Sequence, residues 1–541
     1  MRLSDEERST LEGIAHSLVP SASVSALCAY GSKVAGYSRP DSDYDIIVVC
    51  RRFREGVRYR YVEAPVAASA LIVDEQLLLD DSRTSHLGEF VAGRLLNVYD
   101  PIVNGGLLRS AELDYKRRVM AEALLELSAD FGEFCKHLLV PYDYFLFDKL
   151  NRRAAVYPPA LYSYVMTYTC TLGAENRKAS VAGFAEAAVA LEKVGLLRLG
   201  PSEVRVNGDA LRGDAFTKVQ SAFSVAARGV TQYAVHGYAG RVGLSVVTRE
   251  AQSKLKRIRE APPHLEELER PRSLLRLEEG ELVPDASLLE KKLAKLLGFD
   301  SYVSTERDLG EPYSTTRVLT FSARDREVSV VVKSYSDVRS LKWALLGIWA
   351  AAAGRFSMSP SARLEREYRM SARLREAGAM VPRILAVAPE ERVVVKEFVQ
   401  GPTLSSVIDK ILKGSKGGLE HVSSFAGVVS RIHGADIALG DAKASNVIVS
   451  AGGPFLTDLE QATVSGDQAW DVAEFLYYTA KLSIREDEME RVARAFLEEY
   501  SKGAHGANLE KAKGARYLRP FQPFLSPGMA RMLRDLMASY A

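Results

Sequence analysis

Two stretches of this chain gather residue types suited to phosphate chemistry. The first reads AYGSKVAGYSRPDSDYDIIVV, from Ala29 to Val49. A strand delivers the chain to Gly31-Ser32, where a small pair lets backbone amides approach a phosphate closely. A following helix N-terminus adds its dipole and unpaired N–H groups, and Ser32 can add a hydroxyl. Twelve residues after Gly31 comes Asp43-Tyr44-Asp45. On a strand, residues i and i+2 face the same side, and two carboxylates projected together repel unless cations sit between them. Hard oxygen ligands of this kind suit Mg2+, or Mn2+ in its place. Two-metal phosphoryl chemistry uses such a pair, one metal activating the nucleophile and the other stabilising a leaving pyrophosphate.

This Gly-Ser…Asp-x-Asp pattern resembles the signature of polymerase-β-type nucleotidyltransferases, in particular the minimal archaeal and bacterial ones, over roughly the first hundred residues. The resemblance implies transfer of a nucleoside monophosphate from an NTP, with Gly31 and Ser32 holding the nucleotide and Asp43 and Asp45 as metal-ligating catalytic residues. The family uses a third carboxylate on a later strand. Here the expected position falls near Ala68, which is not acidic. Asp74 either substitutes for it or is the N-cap of a helix over Glu75 to Leu79.

The second stretch is longer. VSVVVK, Val328 to Lys333, reads as a strand ending in lysine, and ARLEREYRMSARLREAG as a charged amphipathic helix containing Glu367. ERVVVKEFVQGPTL reads as a strand carrying Glu397, then a connector at Gly401-Pro402. IHGADIALGDAKASNVIV follows, with Asp441 and Asn446 five apart and Lys443 between them; then come Asp458 in PFLTDLEQA and Asp471 in WDVAEFLYY. This order resembles the small atypical protein kinases: the RIO group, the KEOPS-complex kinase and lipopolysaccharide-type kinases. The resemblance covers about residues 290–480.

It implies a role for each position. Lys333 would hold the α- and β-phosphates and Glu367 would hold Lys333. The segment around Glu397 would meet adenine. Asp441 would orient or deprotonate the acceptor hydroxyl, and Lys443 would neutralise the transferring phosphoryl group. Asn446 and Asp458 would ligate Mg2+, and Asp471 would brace the loop. The sequence departs from the family pattern in several places. Leu439 stands where the small kinases have His, Asp458 is followed by Leu-Glu, and only Gly310 is available for a Gly-rich loop. An apolar insert, LKWALLGIWAAAAGRF, lies between Lys333 and Glu367; Trp343, Leu346 and Trp349 could pack on the domain or bind a partner.

The elements that must position these residues can be read along the chain. Ser4 and Glu7 stand at capping-box spacing and open a helix. Val24–Tyr30, Tyr44–Cys50, Tyr59–Val62 and Ser69–Val73 read as strands. Residues 1–110 are therefore expected to form a nucleotidyltransferase domain. Residues 111–260 are expected to be mostly helical. Within them, Phe184, Ala187, Ala188 and Leu191 share one helix face, Gly195 ends that helix, and a hairpin follows around Gly200-Pro201, either a wing or plain scaffold. Residues 261–285 are expected to be a linker, within a mixed-charge, proline-bearing stretch from 251 to 285 that contains KLKRIRE, APPH and ERPR. Residues 286–541 are expected to be a protein-kinase-like domain, opening on a Leu289, Leu293, Leu296, Leu297 stripe. The fold class is multidomain α/β and α+β, with a nucleotidyltransferase fold, a helical middle and a two-lobed kinase-like fold.

Composition sets the outer bounds. Hydrophobic residues make up 47% and charged residues 26% of 541, which is ordinary globular composition. With 71 basic against 69 acidic residues, the balance does not indicate bulk nucleic-acid or membrane binding; nucleic acid stays open as a partner through a local basic groove, and no membrane partner is expected. Cys28, Cys50, Cys135 and Cys170 form no Cys-x-x-Cys pair, so free thiols are expected rather than a zinc site or a disulfide framework. MRLSDEERSTLEG is polar and has no apolar signal core, and Trp343–Ala353 is shorter than the ~20 residues of a membrane span. A cytoplasmic protein is expected. The whole reads as a bifunctional transferase using ATP or another NTP, with a protein acceptor for the kinase. The alternatives are a regulatory nucleotide-binding protein with one degenerate site, or a small-molecule modifier.

Overall fold

The computed structural model describes residues 3–158, 160–208, 268–284, 286–309, 316–324, 326–335, 359–483 and 485–541. The chain is mixed α/β and divides into two compact units, Met1–Glu278 and Glu279–Ala541.

The first unit is built on strands β1 (Ser23–Tyr30), β2 (Tyr44–Arg51), β3 (Val57–Val62), β4 (Ala68–Asp74) and β5 (Asp100–Val103), in the order β3-β4-β2-β1-β5. Only β2 and β4 pair in parallel. β2 is apolar from Ile46 to Cys50 because both faces are covered there. Ile46, Val48 and Cys50 pack with Leu11 and Ile14 of helix Asp5–Leu18, while Ile47 and Val49 pack with Leu78 and Leu108 on the other side. The expected capping box opens that first helix: Glu7 N donates to Ser4 Oγ at 3.2 Å and Ser4 N to Glu7 Oε2 at 2.7 Å.

A single helix, Gly105–Phe131, runs across residue 110 and packs against both the sheet and the helices after it, so the sheet and the helical middle share one unit. Phe184, Ala187, Ala188 and Leu191 are all buried on helix Gly173–Lys193. The hairpin that follows, β7 (Leu197–Leu199) and β8 (Glu203–Val206), joins β6 (Leu138–Pro141) and β9 (Arg276–Leu277) in the order β7-β8-β6-β9. Part of the expected linker is therefore structured, because Leu268, Leu275 and Leu277 are buried there. KLKRIRE and APPH lie outside the described residues.

The second unit opens on a six-stranded sheet: β10 (Glu281–Leu282), β11 (Val303–Asp308), β12 (Thr316–Ala323), β13 (Arg326–Ser334), β14 (Ile384–Ala388) and β15 (Val393–Glu397), in the order β10-β14-β15-β13-β12-β11. Its core includes Phe299, Phe321, Val330, Val332 and Val395, together with Leu289 and Leu293 of the expected stripe. Helix Pro360–Glu376 is inserted between β13 and β14. After β15 the chain becomes mainly helical, around a core that includes Phe425, Phe475, Phe496 and Tyr500. Small pairs interrupt it: β16 (Ile437–Ala438) with β19 (Thr463–Val464), and β17 (Val447–Ser450) with β18 (Gly453–Leu456). Gly310 and the insert bearing Trp343, Leu346 and Trp349 lie outside the described residues.

Candidate functional site

The second unit assembles its candidate residues most fully. β13 and β15 are antiparallel with Lys333 opposite Val394 and Val331 opposite Lys396, which places both lysines on one face of the sheet. Helix Pro360–Glu376 supplies Glu367, which is fully buried. Lys333 Nζ donates to Glu367 Oε2 at 2.8 Å and to Asp458 Oδ1 at 2.8 Å, and lies 3.1 Å from Glu460 Oε2. Tyr335 OH donates to Glu367 Oε2 at 2.5 Å, and Lys396 Nζ pairs with Glu367 Oε1. Arg363 Nη1 reaches Glu460 Oε1 at 3.3 Å.

Glu367, Asp458 and Glu460 are the one group of three carboxylates, among the described residues, close enough to share a metal ion. The Lys333 ammonium sits at their centre. With Lys396 and Arg363, three cations answer three carboxylates. Burial alone would raise the pKa of Glu367, but Lys333 and Lys396 outweigh it and hold the carboxyl at about 2. Glu460 is pushed up by burial and by Asp458, with Lys333 opposing. Hard oxygen donors around one cation fit a divalent metal chemically, and such an ion would compete with the Lys333 ammonium for this centre.

The loop from Leu439 to Asn446 is braced by the helix that follows it. Asp471, on helix Gln468–Ala480, accepts from Leu439 N at 2.6 Å and Gly440 N at 2.8 Å, and His433 Nε2 is 3.0 Å away. Gly440 has φ +73°, and a Cβ there would meet Gln461 O at 2.6 Å, so this turn requires glycine. Asn446 Nδ2 donates to Asp441 Oδ2 at 3.0 Å, which leaves its amide oxygen as the ligand it can offer. Thr457 N donates to Asn446 O at 3.0 Å, so the β17–β18 hairpin sets Asn446 beside the approach to Asp458. Lys443 Nζ lies 2.5 Å from Asp441 Oδ1 and 3.9 Å from Glu474 Oε1. Glu474 also accepts from Ala442 N at 2.8 Å; burial, and then Asp441, push its pKa well up.

Lys333, Glu367, Asp458 and, beside them, Asp441, Lys443 and Asn446 thus come together as two linked clusters. Both Glu367 oxygens are engaged by Lys333, Tyr335 and Lys396, and the Lys333 pairing is the one the sequence predicts. The Glu397 carboxylate accepts from Arg383 N at 3.0 Å and Arg383 Nε at 2.9 Å, a pairing between neighbouring strands. The sequence reading missed Lys396, Glu460, Tyr335 and Glu474. Glu460 was in view as the Leu-Glu after Asp458, and Lys396 as the charge before Glu397 in VVVKEF; neither has a spacing that announces a partner.

In the first unit, β1 ends at Tyr30 opposite Asp45 on β2. Gly31 has φ +77°, and a Cβ on it would stand 2.1 Å from Asp45 Oδ2, so Gly31 is glycine because the Asp45 carboxylate lies against its backbone. Helix Ser32–Ala35 follows. Its last carbonyl, Ala35 O, accepts from the buried Asn176 Nδ2 at 2.9 Å, which fastens the turn to helix Gly173–Lys193. Tyr37 beside it is raised to about 12 by burial, with Asp45 adding to the effect. Asp43 stands two residues before Asp45, just ahead of β2.

The parallel register sets Ala68 opposite Tyr44 and Ser69 opposite Asp45, so no carboxylate occupies this end of β4. Asp74 is opposite Cys50, at the far end of the strand. It caps helix Glu75–Thr84, accepting from Gln76 N at 3.0 Å and from Phe53 N at 2.9 Å. Of the two roles open to Asp74, the structure shows the cap.

No family model matches this chain, and no curated protein matches its sequence.

Proposed function

We propose that the second unit is a Mg2+- and ATP-dependent phosphotransferase of two-lobed, protein-kinase-like fold, acting on serine or threonine of a protein. The observation that carries this reading is the Lys333 ammonium between Glu367, Asp458 and Glu460, beside an Asp441–Lys443–Asn446 loop fixed by Asp471. Lys333 would exchange carboxylates for nucleotide phosphates. Asp441 would orient the acceptor hydroxyl and take its proton, and Lys443 would pass from Asp441 to the transferring phosphoryl group. Mg2+ (or Mn2+), held by Asp458 and Asn446, would neutralise phosphate charge. Free cysteines and the absence of a helix long and apolar enough to cross a membrane, among the described residues, support a cytoplasmic setting.

For the first unit we propose a polymerase-β-type nucleotidyltransferase fold. Its site would bind an NTP at Gly31-Ser32 and metal at Asp43 and Asp45, with transfer of the NMP. Ser69 opposite Asp45, in place of an acid, favours a second reading: a nucleotide-binding site that regulates and does not turn over.

Incubation with γ-labelled and α-labelled ATP tests both units at once. Asp441→Asn should lose γ-label transfer while any α-label transfer persists; Asp43→Ala or Asp45→Ala should do the reverse. An Asp441→Asn protein that transfers γ-label at the wild-type rate removes Asp441 from its role and the kinase reading with it. Absence of α-label transfer from the wild type, with NTP still bound, supports the regulatory reading of the first unit.

A further inference from the structure

Glu367 has two lysine partners where one would suffice to hold it. Lys333 approaches Oε2 and Lys396 approaches Oε1. Lys396 is only 4% exposed and also donates to Thr457 O at 2.6 Å, the carbonyl immediately before Asp458. Lys333, by contrast, is shared among Glu367, Asp458 and Glu460. A lysine that serves nucleotide phosphates must give up part of such a set. A buried carboxylate left without a cation costs several kcal/mol, and that cost would oppose nucleotide binding if Lys333 were the sole partner of Glu367.

We infer that Lys396 is a positioning residue, the standing counter-ion of Glu367, which releases Lys333 to the nucleotide phosphates and ties the Asp458 segment to helix Pro360–Glu376. The inference rests on the phosphotransferase reading of this unit. Two lysines of one sheet face divide the work: Lys396 holds the helix, and Lys333 moves between carboxylates and phosphate. The Thr457 contact makes the tie reach the strand end bearing Asp458, so helix and metal-ligating segment are joined without a bound nucleotide.

The test is Mg·ATP titration by calorimetry on the full chain, comparing wild type, Lys396→Met, Glu367→Gln and the double variant, with thermal melting alongside. Lys396→Met should weaken Mg·ATP binding by at least about tenfold, because Lys333 is then retained by a Glu367 that has no other cation. Adding Glu367→Gln removes that charge and should restore affinity to within about threefold of wild type, a coupling that a double-mutant cycle isolates. Lys396→Met binding as tightly as wild type overturns the inference. So does a folded double variant that binds as weakly as Lys396→Met, which would make Lys396 a direct nucleotide contact or plain scaffold. If Lys396→Met alone does not fold, the double variant, which leaves no unpaired charge, decides on its own: near-wild-type affinity supports the inference and lost affinity overturns it. Wild-type protein that does not bind Mg·ATP overturns the phosphotransferase reading itself, a result distinct from any difference among the variants.

Discussion

The two candidate sites are built by different means. In the second unit the site is a side-chain network: Lys333 and Asp458 meet at 2.8 Å across 125 positions of sequence, with Glu367, Lys396, Glu460 and Arg363 closing the charge balance. In the first unit the site is a backbone device: a glycine turn at +77° lies against the end of the neighbouring strand, and the Asn176 amide and Cys170 thiol hold the carbonyl that closes the short helix after it. A network of this kind is sensitive to loss of any one charge, because burial leaves the remaining partners without water to replace it. A turn-and-strand device is sensitive instead to shape, at Gly31 above all. The two units also share a feature away from this contrast. Each has a buried carboxylate held below its ordinary range against burial, Glu89 by Lys149, Arg118 and Arg153, and Glu367 by Lys333 and Lys396.

The largest expected effect tests the network directly. Lys333→Met leaves Asp458 and Glu460 facing each other without their shared cation, and should destabilise the second unit by about 3–5 kcal/mol. Denaturant unfolding followed by hydrogen exchange, which separates the units, checks it. An unchanged second unit would mean that the charges are answered elsewhere.

Acid should separate the network from its surroundings less sharply. Glu367 is held at about 2 against an ordinary 4.5. A depressed carboxyl contributes stability that is fully present above its unfolded value and is lost as pH falls through the folded one. The second unit should therefore lose about 3 kcal/mol between pH ~4.5 and ~2 from this group. Glu367→Gln should flatten that slope in urea melts run across the range, and a slope unaltered by Glu367→Gln would assign the acid lability to other carboxyls.

The smallest effect sharpens the account of the first unit. Asp74→Ala should cost about 1 kcal/mol, the value of a helix cap, and should leave NTP binding and any NMP transfer unchanged. A loss of transfer by several orders of magnitude, with stability intact, would make Asp74 a metal ligand despite its place at the far end of β4.

What could be read in advance follows the same contrast. Four of the five strands of the first sheet, the capping box at Ser4 and the Gly31-Ser32…Asp43-x-Asp45 motif lie within short stretches, where period and spacing carry the information; the short edge strand β5 does not show one. The order Lys333, Glu367, Asp441, Asn446, Asp458 was also legible, because each stands in a recognisable local setting. Lys396, Glu460 and Glu474 were not, since their meaning lies in partners brought by strand register and by helices far along the chain. The pairing of Glu397 was hidden for a related reason: the sequence shows the carboxylate but not Arg383, just ahead of the neighbouring strand, which engages it. The structured part of the expected linker was missed because its buried leucines are too few and too widely spaced to show a period.

Calorimetric titration of Mg·ATP into the full chain, with Asp441→Asn and Asp458→Asn beside the wild type, is the most direct measurement. On the proposed reading Asp441 would face the acceptor, so Asp441→Asn should bind within about threefold of wild type, whereas Asp458→Asn would lose a charged metal ligand and should bind at least about tenfold more weakly. Equal affinities for all three proteins, or no binding by the wild type, would contradict the assignment of the Lys333–Asp458 cluster as a nucleotide site.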